Sequence, residues 1–286
     1  MKRQRYVYPV KLMARVLGVS RSGFYAWMRR LPSARKLQDD SLKPLIRIAH
    51  DRSRETYGPK RLQTELTATG TVIGRDRISR LRKEMGLRCV QQRKFKATTN
   101  SAHSLPVAPN LLDQNFTVED PGTVYGSDIT YIPTDEGWLY LAGVKDLATR
   151  EIIGHAMGSR MTKELTLTAL EKAMRYRKPL PGCIHHSDRG SQYCALSYQH
   201  ALTDAGMRPS MSRKGNCFDN APVESFWGFL KQELVYQRRF RTRAEAQAAI
   251  QEYIEIFYNR MRRHSALGNI APAIFATNYF SERRSA

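Results

Sequence analysis

The sequence predicts an α/β protein: a mixed sheet preceded by small all-α units. Three observations lead there. Short β-rich runs separated by turn signals crowd between residues 124 and 157, helix and strand signals alternate after them, and the first ninety residues show helical spacing broken by glycines. The chain has 286 residues, 41% of them hydrophobic, which is ample for packed cores. No stretch approaches the roughly 18 uncharged apolar residues of a membrane span, and the basic N-terminus lacks the apolar run of a secretory signal, so a cytoplasmic location without membrane contact is expected. Cys89, Cys183, Cys194 and Cys217 form no CxxC pair and read as ordinary thiols.

In chain order, Leu12, Met13, Val16 and Leu17 are spaced for a helix, Gly18-Val19-Ser20 interrupts, and Phe24, Tyr25, Trp27 and Met28 resume. This is a helix-turn-helix-like segment over 1–35, with Ser20 as cap and Arg21 and Ser22 at the base-facing start of its second helix; a plain helical hairpin has the same pattern. A second such unit, 36–95, is built on Leu62, Leu66, Ile73, Ile78, Leu81 and Met85 after Tyr57-Gly58-Pro59-Lys60, with Arg75, Arg77, Arg80, Arg82 and Lys83 as its exposed basic face. The basic run Arg93-Lys94-Phe95-Lys96 opens a stretch rich in Thr, Ser, Asn and Pro, read as a linker over 96–118 that orders on DNA, with Lys94 and Lys96 as contacts. The strands Val124 to Ile132, Trp138 to Asp146 and Glu151 to Met157 then form an antiparallel meander. A helix over 163–178, a buried strand around Ile184-His185-His186, a helix from about Tyr193 to Ala205 and another from near Pro222 complete the order βββαβα…α. That order is the ribonuclease H-like one and sets a core at 119–240. A last amphipathic helix, about Arg243 to Tyr258, belongs to a C-terminal region over 241–286 that packs on it.

Charge is distributed unevenly. Residues 1–105 carry 25 Lys and Arg against 7 Asp and Glu, whereas residues 106–232 carry 13 against 14. A basic arm on a near-neutral core fits nucleic acid, because neutralising phosphates releases condensed counterions. A solvated basic surface would show the same balance, so the middle region has to decide.

Three carboxylates there stand where a two-metal site needs them. Asp128 lies mid-strand, where a carboxylate is costly unless paired or bound to metal. Asp188 directly follows the fourth strand, at the carboxyl end where ligands gather in α/β sheets. Glu224 sits in the first turn of the helix opened by Asp219-Asn220-Ala221-Pro222. Singly each has an ordinary reading, as an edge device, a cap or a dipole partner. Their joint placement on three adjoining elements favours Mg²⁺ or Mn²⁺, two ions on oxygen ligands. His186 and Asn220 flank the trio and would orient its ligands. Arg189 and Lys231 are candidate phosphate contacts.

Ser127-Asp128-Ile129-Thr130-Tyr131, His185 through Tyr193, Asp219 through Glu233, and Tyr258-Asn259-Arg260 through Gly268 resemble the OrfB transposases of the IS-three family of bacterial insertion sequences, relatives of retroviral integrases. The resemblance covers roughly residues 40–286. It implies that Asp128, Asp188 and Glu224 form a DDE triad performing metal-dependent 3′-end cleavage and strand transfer, and that Lys231, two helical turns after Glu224, contacts DNA. It also implies terminal inverted repeats and target DNA as partners, homo-oligomers on DNA, and an upstream-frame OrfA partner or fusion. Two departures stand out. Val124-Tyr125-Gly126 lacks the Trp common in the family before the first Asp, and no His-His-Cys-Cys zinc domain is visible. Asn259 and His264 have no role that spacing reveals.

Overall fold

The computed structural model describes residues 1–90, 106–213 and 217–285. Two short helices come first, α1 (Val10–Val16) and α2 (Arg21–Arg29). The Ser20 hydroxyl caps α2 by accepting from the Gly23 N–H at 3.2 Å, as the sequence predicts. A helix that the sequence reading passed over follows, α3 (Ala34–Arg52), capped by Ser33 and continuous through Pro44. Its signal is the spacing of Leu42, Ile46 and Ala49, which pack with Tyr57, Leu62, Leu66, Ile73, Ile78 and Leu81 of α4 (Pro59–Ala68), α5 (Arg75–Glu84) and their connections. The second helical unit is therefore a three-helix body with its own core.

Strands β1 (Val124–Thr134), β2 (Gly137–Asp146) and β3 (Ile152–Gly158) form the expected antiparallel meander. Helix α6 (Lys163–Tyr176) returns the chain to β4 (Ile184–Ser187), which pairs parallel to β1. The helix expected near 193–205 is two, α7 (Ser191–Cys194) and α8 (Leu196–Asp204). Beyond them an unexpected strand, β5 (Arg208–Met211), pairs parallel to β4 and closes a five-stranded sheet in the order β3-β2-β1-β4-β5. Four residues including Pro209 carry no alternation to read, and proline is tolerated there because β5 is an edge. Then come α9 (Ala221–Glu233), α10 (Arg243–Glu252), which continues into a π-helical segment (Tyr253–Met261), and α11 (Pro272–Ser285).

Alternation divides the sheet's side chains between two layers. Tyr125, Ala142, Val144 and Ile153 pack against α6, α7 and α8, while Ile132, Leu139 and Leu141 pack against α9, α10 and the π-helical segment. The foreseen apolar face of the last amphipathic helix, Ile250, Tyr253, Ile254 and Phe257, is buried in the second layer.

One expectation is corrected in the connecting segment. Residues 106–118 are fastened to the core: Leu112 is buried with Val124 and Leu147, the Leu111 N–H donates to Ser210 Oγ at 2.9 Å, and Asn110 and Gln114 donate to Asp219 at 3.1 and 3.0 Å. Lys94 and Lys96 lie outside the described residues.

The C-terminal motif acquires structural roles. The Asn259 side chain accepts from the Ile152 N–H and donates to the Ile152 carbonyl, both at 3.0 Å, imitating a neighbouring strand on β3. Arg262, 1% exposed, donates from Nε and Nη2 to Glu233 on α9, which also accepts from the Tyr253 hydroxyl at 2.7 Å. Arg263 reaches the other way, donating its N–H to Tyr57 Oη and its Nε to Glu65, both at 2.6 Å. Consecutive arginines thus tie the three-helix body to the helix that carries Glu224. Removing one partner of a buried ion pair leaves the other charge uncompensated, typically costing about 3–5 kcal/mol. Glu233→Gln should therefore lose about that much stability in urea unfolding, whereas Glu65→Gln, at a partly exposed pair, should lose about 1 kcal/mol or less.

Candidate active site

The site begins with strand register. β1 and β4 run parallel with Val124 opposite Ile184 and Gly126 opposite His186, so two residues further on Asp128 and Asp188 are level on neighbouring chains. Helix α9 then crosses the same face of the sheet and brings Glu224 in its first turn. The Asp128 carboxyl is pushed well above the usual carboxylate range by burial, then by the charge of Asp188, and also by Glu224, against the opposing hydrogen bonds from Ile129 and Trp227. The Glu224 carboxyl is raised by burial and by Asp188. The structure therefore brings all three sequence-predicted carboxylates within range of one another's charge.

Each aspartate is held in place. Asp128 Oδ1 accepts the Ile129 N–H at 2.8 Å and Oδ2 accepts Trp227 Nε1–H at 2.9 Å; Asp188 Oδ1 accepts the Gly190 N–H at 2.9 Å. Among the described residues, no three His, Cys, Asp or Glu side chains already converge as a finished metal cage. The trio still fits a hard divalent cation: its donors are all oxygens, and their mutual repulsion is what bound cations would relieve. The Tyr193 hydroxyl, buried where the charges of Asp128 and Asp188 act on it, has no hydrogen-bond partner among the described residues, as expected of a group left for a water or ligand.

The flanking residues take other partners than the sequence implied. His186 meets Ser210 Oγ at 2.8 Å through Nδ1 and Ser212 Oγ at 3.2 Å through Nε2, so it fastens β4 to β5 and the chain after it. Burial pushes its pKa down to about 4. Asn220 donates to the Ser127 carbonyl at 3.3 Å, tying the start of α9 to β1 one residue before Asp128. Lys231 is 5% exposed and lies over the Tyr131 ring at 5.1 Å; burial lowers its pKa against the attraction of Asp128. The expectation of a projecting phosphate contact is corrected to a cation enclosed beside the site. Arg189 donates Nε to the Ser212 carbonyl at 2.6 Å.

The basic face of α5 is also corrected. Arg77 and Arg80 both turn to Asp39 on α3, at 2.8 and 2.7 Å, and Arg82 is buried with Nη2 at 3.1 Å from Cys89 Sγ. Asp39 is 5% exposed and needs a counter-charge, and two arginines of the next helix supply it. Arg75 and Lys83 remain exposed, as does Arg21 at the start of α2.

Three residues were missed by the sequence reading. Asp219, fully buried, accepts from Arg213, Gln114 and Asn110, and chiefly the Arg213 hydrogen bond holds its carboxyl below the usual range. It gathers the segments on either side of β5 at the entrance to α9. Lys145 donates to the Pro222 carbonyl at 2.8 Å, with its pKa lowered by burial to about 7. Trp227, in the quoted motif but without an assigned role, bonds Asp128 directly. Its only sequence signal is its place one turn after Glu224 and one before Lys231.

Comparison with known families agrees with this arrangement. Residues 118–217 and 205–272 match two integrase core domain families, and residues 37–95 match an HTH-like domain family. The fold and these matches define an integrase-core polynucleotidyl transferase, a DNA-acting enzyme, with a helix-turn-helix-like unit before the core. The chain is 60% identical over 267 residues to the 31 kDa protein of insertion element IS600 of Shigella sonnei, covering 93% of this chain and 98% of that one. It is 43% identical over 270 residues to the transposase InsF for insertion sequence IS3A of Escherichia coli strain K12, covering 94% of each. The chain belongs to the IS3 family of insertion-sequence transposases. Among solved structures, a chain of the simian T-cell lymphotropic virus intasome aligns over 74% of this chain and 69% of its own, at 16% identity and a TM-score of 0.46. Among the described residues no helix is long and apolar enough to cross a membrane.

The two neighbouring histidines predict a pH dependence of stability. His185, bonded to Ser127 Oγ and Tyr198 Oη, has its pKa lowered by burial to about 3, as His186 has to about 4. Both folded values lie below the unfolded value near 6.5, so the stability they contribute is complete above pH ~6.5 and is lost as pH falls through the folded values. Urea unfolding at pH 4.5 should show about 2 kcal/mol less stability per histidine than at pH 7, and His186→Gln should flatten that slope.

Proposed function

We propose that Asp128, Asp188 and Glu224 carry out 3′-end cleavage and strand transfer of insertion-sequence ends, with two divalent ions, Mg²⁺ or Mn²⁺, as cofactors. The single observation behind this reading is that β1, β4 and α9 hold three mutually repelling carboxylates together at one face of the sheet. Bound between these carboxylates, the ions would supply activation of the attacking oxygen and stabilisation of the leaving oxygen at phosphorus. The side chains' part is to stay oriented and adjacent, and to give up their protons as the cations bind. Ile129, Trp227 and Gly190 orient the aspartates, and the packing of α9 keeps Glu224 beside them. No nucleophilic side chain is required, because water attacks in cleavage and a DNA 3′-hydroxyl in joining.

DNA reaches this site through the helical units, in the domain order 1–35, 36–95, connecting segment, core at 119–240 and C-terminal region at 241–286. Arg21 and Arg75, exposed at the first turns of α2 and α5, are placed for phosphate or base-edge contact. Pairing of two element ends would engage more than one copy of the chain, and an upstream-frame OrfA protein, as partner or fusion, would supply further DNA contacts.

Two experiments test this. On a labelled duplex ending in the element's own inverted repeat, the wild-type protein, supplied with OrfA or as the fusion, should nick and join strands with Mg²⁺ and not with EDTA. Asp188→Asn and Glu224→Gln should bind the same duplex and leave it uncut, and cutting by either variant would remove the assignment. For DNA binding, Arg75→Ala should weaken affinity across sequences and reduce the salt slope by about 1. Arg80→Ala should instead lower thermal stability, through the exposed half of the Asp39 cluster.

A further inference from the structure

Asp128 does not meet the reaction site as an isolated carboxylate. Its cross-strand neighbour in the β1–β2 register is Gly143, the one residue type with no side chain to stand in the way. The Trp227 indole lies in that space. A Cβ on Gly143 would come within 2.9 Å of the ring, so the position admits the indole only as glycine. From there Nε1–H donates to Asp128 Oδ2 at 2.9 Å, while the Ile129 N–H occupies Oδ1. One turn earlier the same helix is seated in the same manner, with Val223 over Gly126, where a Cβ would stand 2.7 Å from Cγ2. Two bare positions on adjacent strands thus fix both the height and the rotation of α9. Glu224 lies between the two seated side chains in sequence, and Trp227 itself is 5% exposed within the apolar cluster of α9.

We propose that Trp227 is a positioning residue for Asp128: its indole N–H, held by the Gly143 seat, fixes the orientation of the Asp128 carboxylate and ties that orientation to the helix that carries Glu224. The inference rests on the reading of Asp128, Asp188 and Glu224 as divalent-cation ligands. The physical argument is one of geometry. A free Asp rotates about two torsions, and a ligand that must be ordered on binding loses affinity to that ordering. One hydrogen bond from a ring that cannot move removes the freedom beforehand. The bond also couples two ligands on different elements, so that a shift of α9 moves Glu224 and the Asp128 carboxylate together. An indole N–H is a donor only, so it orients a carboxylate in its ionised form without offering it a proton acceptor.

The test uses the full chain, first without DNA. In Trp227→Phe an apolar, smaller ring stays in the cluster and the donor goes. Mn²⁺ affinity by titration calorimetry should fall by about 10- to 100-fold, the range seen when an outer partner of a metal ligand is removed. The thermal midpoint in EDTA should fall by only a few degrees, the effect of a smaller ring in the core, and the affinity for the terminal-repeat duplex should stay at the wild-type value. In metal-free protein the Trp227 indole N–H should exchange slowly with solvent, and Asp128→Ala should release it. In the cleavage assay the Mn²⁺ concentration for half-maximal rate should rise by the same factor, with part of the rate restored at high Mn²⁺. A purely structural tryptophan would lower the thermal midpoint and leave Mn²⁺ affinity unchanged, and that result overturns the inference. If Trp227→Phe does not fold, Gly143→Ala, which displaces the indole without deleting it, is read by the same Mn²⁺ titration, and wild-type affinity there overturns the inference equally. Failure of the underlying reading looks different: Asp128→Asn would then bind Mn²⁺ and cut DNA as the wild type does.

Discussion

Three like charges have to be held side by side, and much of the core is arranged around that constraint. Two unit charges 4 Å apart in a medium of dielectric about 20 repel by about 4 kcal/mol, so the trio would spread if its supports were free to move. The supports are not free. Val223, Phe226, Trp227 and Leu230 of α9 are each at most 5% exposed, and burying such side chains stabilises by about 1.5–3 kcal/mol apiece. Packing of that helix face therefore opposes the repulsion. The carboxylates register the residual conflict, Asp128 and Glu224 holding their protons more tightly than free carboxyl groups.

Helix α9 is anchored at both ends as well as along its face. At its start, Lys145 reaches the Pro222 carbonyl and Asn220 the Ser127 carbonyl. At its end, Glu233 is locked by Arg262 and Tyr253, and Gln232 donates to the Val90 carbonyl of the helical unit at 3.0 Å. Arg262 is also stacked on Phe229 at 3.9 Å, with His264 beside it. The arginine pair at 262 and 263 accordingly has two directions of action, inward to α9 and outward to Tyr57 and Glu65. Arg54 adds to the outward contact by pairing with Glu252 and lying over Phe257. The three-helix body and the integrase core thus meet through charged contacts.

The excess of basic residues divides into two populations once the chain is folded. Arg77, Arg80, Arg82, Arg262 and Lys231 are drawn inward by a buried acid, a sulfur or an aromatic face. Others, among them Arg21, Arg75 and Lys83, stay in water. A net charge counts both alike. The first population directs its charge at internal partners, so the basic stripe read along α5 narrows when Asp39 is placed beside it.

By itself the sequence determined the meander, the helix after it, the carboxylates after β4 and at the head of α9, and the Ser20 cap, because each is written in local periodicity or in a residue beside its own turn. Long family motifs then named the trio. Two elements went unread: α3, whose apolar spacing after the Ser33 cap is interrupted by Pro44, and β5, four residues containing a proline. Side-chain partners across 23 to over 100 positions were equally hidden. His186 facing Ser210 and Ser212, Asn259 standing in for a strand, Trp227 over Gly143 against Asp128, and Lys231 over Tyr131 rather than in solvent are all decided by which faces the sheet and α9 turn to each other. Spacing along one chain gives the direction of a side chain on its own element. What it meets depends on a second element whose position is set by packing of the whole core.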